Sequence, residues 1–336
     1  MASTSSPESS LNSPRRILFV RTDRLGEVLL NLPAVAALHA AQPEVHLAMM
    51  VSPNLSALLK DVPEIDSVIE YRDTGTQPWW LKAVTLACQL RRERFDVAVI
   101  SNPKKEFHLA TFLAGIPRRI GYNRKGGWLL TDRLPDRKAL GELHEVEYNL
   151  NLVRSLGFPT TIPQWRLPHL EREQHEVLQL LEQRGMKRSE PFIAVHPWTS
   201  NPLKQWPLDR YQALIRMVVQ RLSLPVALIG GPEERQQAEA LLSAGVPMAD
   251  LVGQLTLRQL AALLQRARLL VSNDSGPVHL AAAVGTPTVV LFGTPDAATG
   301  PRRWGPWGEG HVVIWKPSMD AITVGEVFAA LQQRLS

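Results

Sequence analysis

Short apolar runs alternate with stretches of helical period along almost the whole chain. Arg16–Arg21, Val45–Val51, Ser67–Tyr71 and Asp96–Ser101 have the length and apolar content of buried strands. Between them, Gly26–Ala41 repeats Val28, Leu29, Leu32, Val35, Ala36 and Leu38 on one helical face. Leu55–Lys60 predicts a short helix, and Trp79–Arg92 and Glu106–Ala114 predict two more. The plan recurs in the second half. Phe192–His196, Pro225–Gly230, Leu269–Asn273 and Thr288–Phe292 predict strands; Leu208–Leu222, Glu233–Ser243, Leu257–Ala267 and Val278–Val284 predict the helices between them. Strands alternating with helices imply a parallel sheet covered on both faces. Two such series predict an α/β chain of two doubly wound, Rossmann-like domains facing each other across a cleft.

The boundaries follow from composition. Residues 1–14 are rich in Ser and Pro and lack an apolar core segment, so they predict a disordered tail and not a signal peptide. A first domain is expected over 15–165, a linker over 166–190, a second domain over 191–320, and a terminal helix in 321–336 that packs back on the first domain. Phe158 to Glu190 carries Pro159, Pro163 and Pro168 and then a charged helix, the composition of a hinge. At 336 residues the chain exceeds one ordinary core. No apolar run approaches the ~18 residues that a bilayer span needs. The single cysteine, Cys88, excludes a disulfide framework and falls in a helical pattern that predicts core packing. A cytoplasmic address fits these features.

Net charge is +5, and part of the excess is concentrated. Lys104–Lys105, Arg118–Arg119 and Arg124–Lys125 fall in one region of the first half. No nucleic-acid module or aromatic stacking platform accompanies them, so nucleic acid is not the expected partner. An anionic small molecule or a phosphorylated lipid head group fits better; an ordinary solvated surface is the alternative.

Chemistry concentrates at the strand ends. Ser272–Gly285 runs from an apolar strand through Asp274, Ser275 and Gly276 into a small-residue helix. Such a turn leaves unpaired backbone N–H groups and a positive helix end at the sheet's carboxyl edge, where α/β sheets take anions. Gly276 allows close backbone approach, and Pro277 suits the first helical turn. His279 either lines the site or orients the Asp274 loop by hydrogen bonding. In Arg21–Val28, Gly26 permits a tight turn that sets Glu27 at a helix start, as a general base or simply as a helix-stabilising charge; Asp23 is expected to cap or turn. After the strand ending at His196, Thr199 and Ser200 offer hydroxyl donors and Lys204 a point cation for a phosphate. Gly230–Glu234 opens a helix with Glu233 and Glu234 placed to hold a ribose or to complete the helix start. Neither the dinucleotide fingerprint nor a P-loop is present, no His spacing suits a metal, and no nucleophile elbow occurs.

Together these motifs resemble glycosyltransferase family 9, the heptosyltransferases of lipopolysaccharide core assembly. The likeness runs through Arg24–Pro33, Ala114–Tyr122, His144–Leu150, the His196–Pro207 loop, the Gly230–Glu234 turn and Asp274–Ala283. It implies a GT-B fold and an inverting, metal-independent transfer from a nucleotide sugar, ADP-heptose above all, with no cofactor. The donor would lie in the second domain on Thr199, Ser200, Lys204, Glu233, Glu234, Leu255, Asp274, Ser275, Gly276 and His279, with backbone at Leu255 meeting the base. Glu27 would be the catalytic base. Many members carry Asp there, and the extra methylene of Glu27 bears on acceptor identity more than on the chemistry. An anionic lipid-linked or oligosaccharide acceptor would lie in the first domain on Arg21, Arg24, Lys104, Lys105, Arg118, Arg119, Arg124 and Lys125. Loops bearing Trp79, Trp80 and Trp128 could touch the inner membrane peripherally, with burial as the alternative. A nucleotide-sugar epimerase of similar fold and a non-catalytic nucleotide-sugar-binding protein are the competing readings.

Overall fold

The computed structural model describes residues 14–336 except 74, 159, 160, 162–164, 244 and 247. The anticipated tail, Pro14 apart, and two of the hinge prolines, Pro159 and Pro163, lie outside the described residues.

The first half comprises β1 (Arg16–Val20), α1 (Leu25–Leu29), α2 (Leu32–Ala41), β2 (His46–Val51), α3 (Pro53–Leu59), β3 (Ser67–Glu70), α4 (Trp79–Glu93), β4 (Val97–Ile100), α5 (Lys105–Leu113), β5 (Arg118–Tyr122), β6 (Asp132–Leu134) and α6 (Glu145–Arg154). After α7 (Glu171–Gln183), the second half comprises β7 (Ile193–His196), α8 (Leu208–Met217), β8 (Val226–Leu228), α9 (Arg235–Leu242), β9 (Ala249–Asp250), α10 (Leu257–Arg266), β10 (Leu269–Asn273), α11 (Gly276–Val284), β11 (Thr288–Gly293), α12 (Pro301–Trp304), β12 (Val312–Lys316) and α13 (Val324–Leu335). The sheets run β3-β2-β1-β4-β5-β6 and β9-β8-β7-β10-β11-β12, so each half repeats the same strand order. Every pairing is parallel. Central strands such as β1, β7 and β10 are buried on both faces, which is why they appear in sequence as unbroken apolar runs. In each sheet the chain begins centrally and reverses direction between β1 and β4, or between β7 and β10. Ligands bind beyond the strands' carboxyl ends at such switch points.

Four local expectations differ from the fold. The helix predicted over Gly26–Ala41 breaks at Leu30–Asn31, because Pro33 has no N–H for the ladder; the Asn31 amide donates to the Glu27 carbonyl at 2.6 Å across the break. Cys88 is exposed, since the inward stripe of α4 is Ala83, Leu86, Ala87 and Leu90 and Cys88 falls off it. The charged helix expected in the linker forms as α7, but it is not a free connector, since its Val177 and Leu181 pack against α10 of the second half. Finally, α13 packs on α8, β11 and β12 and not on the first half: Val327, Phe328 and Leu331 complete the apolar core of the second sheet.

The two halves are joined by more than a chain crossing. Helix α1 packs on α11, and one apolar cluster runs continuously from Phe19 and Val28 to Leu280 and Val290. A polar latch lies beside it. Arg303 of α12 donates from Nε to Glu145 Oε2 at 3.1 Å and from Nη1 to the Lys138 carbonyl at 3.0 Å. His144 Nε2 donates to the Gly305 carbonyl at 2.9 Å, with its ring 4.8 Å from that of Trp307. Glu145 also accepts from Lys138 at 2.6 Å and lies 3.5 Å from Arg21. Burial alone raises the Glu145 carboxyl, but Lys138, Arg21 and Arg303 together hold it below the ordinary 4.5.

Candidate active site

A cavity of about 820 Å³ lies between the carboxyl edges of the two sheets. From the first half it is lined by Arg24, Gly26, Glu27 and Asn54, and from the second by the β7, β8 and β10 loops. All ten residues expected to hold a nucleotide sugar border it: Thr199, Ser200, Lys204, Glu233, Glu234, Leu255, Asp274, Ser275, Gly276 and His279. Topology explains the gathering, because residues some 70 positions apart end adjacent strands.

Lys204 ends a short 3-10 turn, Pro202–Lys204, whose start is capped by Asn201 accepting from the Leu203 N–H at 3.1 Å. Its ammonium is paired with Asp274. Burial raises the Asp274 carboxyl, and Lys204 partly offsets that rise. A cation held by a half-buried carboxylate is a ready anion site, since a diphosphate exchanges one negative partner for another without stripping a free ammonium of water. Glu234 turns back to accept from the Gly231 N–H, so it finishes a helix start, whereas the exposed Glu233 remains at the cavity wall. Burial raises Glu234, the Gly231 N–H lowers it and Glu233 raises it further.

Two hub residues escaped the sequence reading. Asn273 donates to the Pro197 carbonyl at 2.7 Å and accepts from the Trp206 N–H at 3.1 Å and the Tyr211 hydroxyl at 3.0 Å. It therefore fixes both ends of the loop that carries Thr199, Ser200 and Lys204. His196 shares Nδ1 contacts of 3.2 Å with Ser272 and Ser275, and burial pushes it down to about 3, so it is neutral at the cavity floor. Their only sequence signal was position, each being the last residue of a strand at the switch point.

Gly26 has a role other than the one expected, and His279 takes the first of its two, lining the cavity. Gly26 lies inside α1 and is not among the residues with positive φ, so no special turn requires it. A Cβ there would stand 2.5 Å from His279 Cδ2. Gly26 is thus a close-approach site between the halves, and His279 packs against it. His279 does not orient the Asp274 loop: its Nδ1 has no partner among the described residues, and burial, with His144, His311 and Lys204 nearby, pushes it down to about 3.

Glu27 follows Gly26 and lines the cavity, its carboxylate accepting from its own backbone N–H. Burial first, then repulsion from Asp23, raises it above the ordinary 4.5, against smaller opposing effects of Arg21 and Arg24. Such a carboxylate is a stronger base than an exposed one.

The basic residues expected around an acceptor do not converge. Arg21 is buried, donating to Asp23 at 2.7 Å and to the Ser101 carbonyl at 3.2 Å. Arg118 is spent on Asp132 and the Ser155 carbonyl, and Arg119 on the Leu129 carbonyl, where they pin loops to the edge of β5. Arg124 lies 3.5 Å from Asp136, Lys105 sits over the Trp79 ring at 5.9 Å, and Lys125 is exposed in the turn before Gly126. Sequence neighbours on opposite ends of β5 cannot share one pocket. Arg24 alone of the set lines the main cavity, and Lys104 lines a separate one. Among the described residues, no cluster of three or more His, Cys, Asp or Glu could hold a metal ion.

Residues 83–327 match the model of glycosyltransferase family 9 (heptosyltransferase). The chain belongs to glycosyltransferase family 9. The family 9 transferase is 26% identical to lipopolysaccharide heptosyltransferase 3 of Escherichia coli K12, over 86% of this chain and 85% of that protein. It superposes on a glycosyl transferase family 9 structure from Veillonella parvula with a TM-score of 0.85 at 20% identity, covering 96% and 97% of the two chains. The E. coli ADP-heptose lps heptosyltransferase II structure superposes at 0.81 with 24% identity, covering 95% and 98%. These likenesses establish the GT-B architecture, and the family match identifies a glycosyltransferase in place of an epimerase or a silent binding protein.

Proposed function

We propose that the protein transfers heptose from ADP-heptose to the lipopolysaccharide core or a related glycan, inverting the anomeric centre without a metal ion. One observation carries this reading: a single cavity joins a carboxylate of raised basicity, Glu27, to a hydroxyl-and-ammonium set, Thr199, Ser200 and Lys204, on the opposite half. The names of the E. coli relatives supply the heptose, the ADP and the lipopolysaccharide.

In this scheme the acceptor hydroxyl gives its proton to Glu27 as its oxygen attacks the anomeric carbon from the face opposite the diphosphate. The anomeric C–O bond breaks and its electron pair leaves with ADP. Lys204 releases Asp274 to meet the growing charge, together with Thr199, Ser200 and backbone N–H groups of the Asp274–Gly276 loop. Glu233 holds the ribose, and Leu255 meets the base. His279 packs beside the sugar. The acceptor domain spans 15–165 and the donor domain 191–320, with 166–190 between them. Trp79, Trp80 and Trp128 are 47%, 53% and 72% exposed beside Lys105 and Lys125, a composition suited to peripheral contact with an anionic cytoplasmic leaflet. No helix among the described residues is long and apolar enough to cross a membrane.

The test is a thermal-shift screen of ADP, GDP and UDP, then transfer assays with the matching sugar donors and lipopolysaccharide core extracts. Stabilisation by ADP and heptose transfer unaffected by a chelator are expected. Preference for another nucleotide would remove the donor assignment, and loss of rate with the chelator would remove the metal-free step.

A further inference from the structure

Helix α1 carries Glu27 and is only five residues long, so whatever holds α1 decides where that carboxylate stands. A helix this short gains little from its own ladder. Its N-terminal end rests on the second half, with Leu25 beside Gly276 and Gly26 against His279. Its C-terminal end is held differently. The Asn31 N–H donates to the Val28 carbonyl at 3.0 Å, one residue short of the helical step, and the Ala34 N–H donates to the Asn31 carbonyl at 2.9 Å. The break before Pro33 therefore leaves the Glu27 and Leu30 carbonyls without their usual helical donors.

Two amide side chains replace those donors. Asn31 donates to the Glu27 carbonyl at 2.6 Å, and Asn149 of α6 donates to the Leu30 carbonyl at 2.9 Å from 119 positions away. Both asparagines are fully buried. A backbone carbonyl accepts only from the amide nitrogen, so each contact also fixes the rotation of its asparagine. Of the two, the Asn149 contact is the one that ties α1 to another element.

Asn149 lies one helical turn after Glu145, and the first turn of α6 is gripped by the second half. Glu145 accepts from Arg303, and the Gly305 carbonyl accepts from His144 Nε2. His144 Nδ1 accepts from the Val146 N–H at 3.2 Å, which leaves the ring proton on Nε2, and burial holds the imidazole below its ordinary 6.5. The gripping segment faces the reaction as well, since Thr299 and Trp304 line the main cavity. One segment of the donor half thus borders the cavity and holds α6, and α6 in turn holds the end of α1.

We propose that Asn149 is a positioning residue for the transfer: it fixes the C-terminal end of α1, and with it the Glu27 carboxylate, to a helix whose first turn the donor half holds. The proposal rests on the transferase reading above. Asn149 lies outside the main cavity, so it acts only through Glu27. A base must stand within hydrogen-bond reach of the proton it takes, and a displacement of about 1 Å costs about a hundredfold in rate.

The test compares the full wild-type chain with Asn149→Leu, which keeps the bulk and removes the donor; Asn149→Ala is the second variant should that one not fold. Amide hydrogen exchange should rise over residues 25–31 and stay at the wild-type level over 199–204 and 274–279. In transfer from ADP-heptose to core extracts, kcat should fall by about ten- to a hundredfold, with donor KM and ADP affinity within about twofold of wild type. The acidic limb of the rate should move down toward 4.5, because a loosened α1 returns Glu27 to water while Asp23, Arg21 and Arg24 stay around it. In a Glu27→Gln background, Asn149→Leu should slow transfer no further. Unchanged exchange over 25–31, or an unchanged kcat, would overturn the assignment. So would an equal fall in the Glu27→Gln background, which would mark a structural role independent of the base. Arg303→Ala and Asn149→Leu combined should slow transfer by less than the product of their separate effects, and strict additivity would detach α6 from the donor half. Wild-type protein that does not transfer from ADP-heptose is a different result and counts against the transferase reading, while the exchange measurement still decides whether Asn149 holds α1.

Discussion

The two halves share one strand order, yet they furnish the cavity between them unequally. In the second half, two continuous stretches, His196–Lys204 and Asp274–His279, carry most of the chemistry, each following one central strand. In the first half, the residues that reach the same cavity are Arg24–Glu27 and Asn54, from the segments after β1 and β2. A diphosphate is small and highly charged, so one cationic loop and one N–H-rich turn suffice for it.

The largest effect that would separate the halves comes from Glu27→Gln. Transfer should fall by about 10²–10⁴-fold, the usual worth of a general base, while ADP affinity stays within about twofold. Measurable loss of ADP binding would mean that the carboxylate serves the donor half as well. Next comes the latch between the halves. Glu145→Gln leaves Lys138, Arg21 and Arg303 without their shared buried counter-charge, and urea unfolding should show about 3–5 kcal/mol of lost stability. A change within error would show that the buried Glu145 cluster contributes nothing to holding the halves together.

Lys204→Ala should act on the donor half only, weakening ADP by about 1.5–3 kcal/mol in calorimetry. An unchanged affinity would remove the lysine from the diphosphate site. Gly26→Ala should cost about 1–3 kcal/mol of stability through overpacking on His279. Combining it with His279→Ala should recover part of that cost, and strict additivity of the two would disprove the contact.

The smallest effect is in pH. Because burial and Asp23 raise Glu27, the acidic limb of kcat/KM should lie above 4.5, with activity lost as pH falls through it. The stability consequence has the opposite sense. A carboxyl whose folded value is raised favours the folded state below its unfolded value, and that contribution is lost as pH rises through the folded value. Glu27→Gln should therefore melt above wild type near neutrality, with the difference closing in acid. A melting difference that widened in acid would contradict the burial of Glu27.

Strands and helices were legible wherever burial was uniform. β10 falls on Leu269–Asn273, the residues that the apolar pattern marked, and α13 lies within the terminal helix expected in 321–336. β5, β6, β9 and β12 were missed because none has a continuous apolar run: β6, β9 and β12 are short or half-exposed edge strands, and the interior β5 opens with Arg118 and Arg119. The donor loops were legible because consecutive residues stay together however the chain folds. The basic cluster misled for the same reason in reverse: Arg118, Arg119, Arg124 and Lys125 are close along the chain, but they flank a strand whose two ends face different surroundings.

The sequence alone determined two parallel α/β units and the polar runs after their central strands, because helical and strand periodicity and turn chemistry are local properties. Tertiary structure decided what Gly26, His279 and Glu145 do. Each of those roles depends on a partner from a distant part of the chain: His279 against Gly26, and Arg303 on Glu145. Sheet order and the contact between the two halves set those distances, and neither is written in any single stretch of residues.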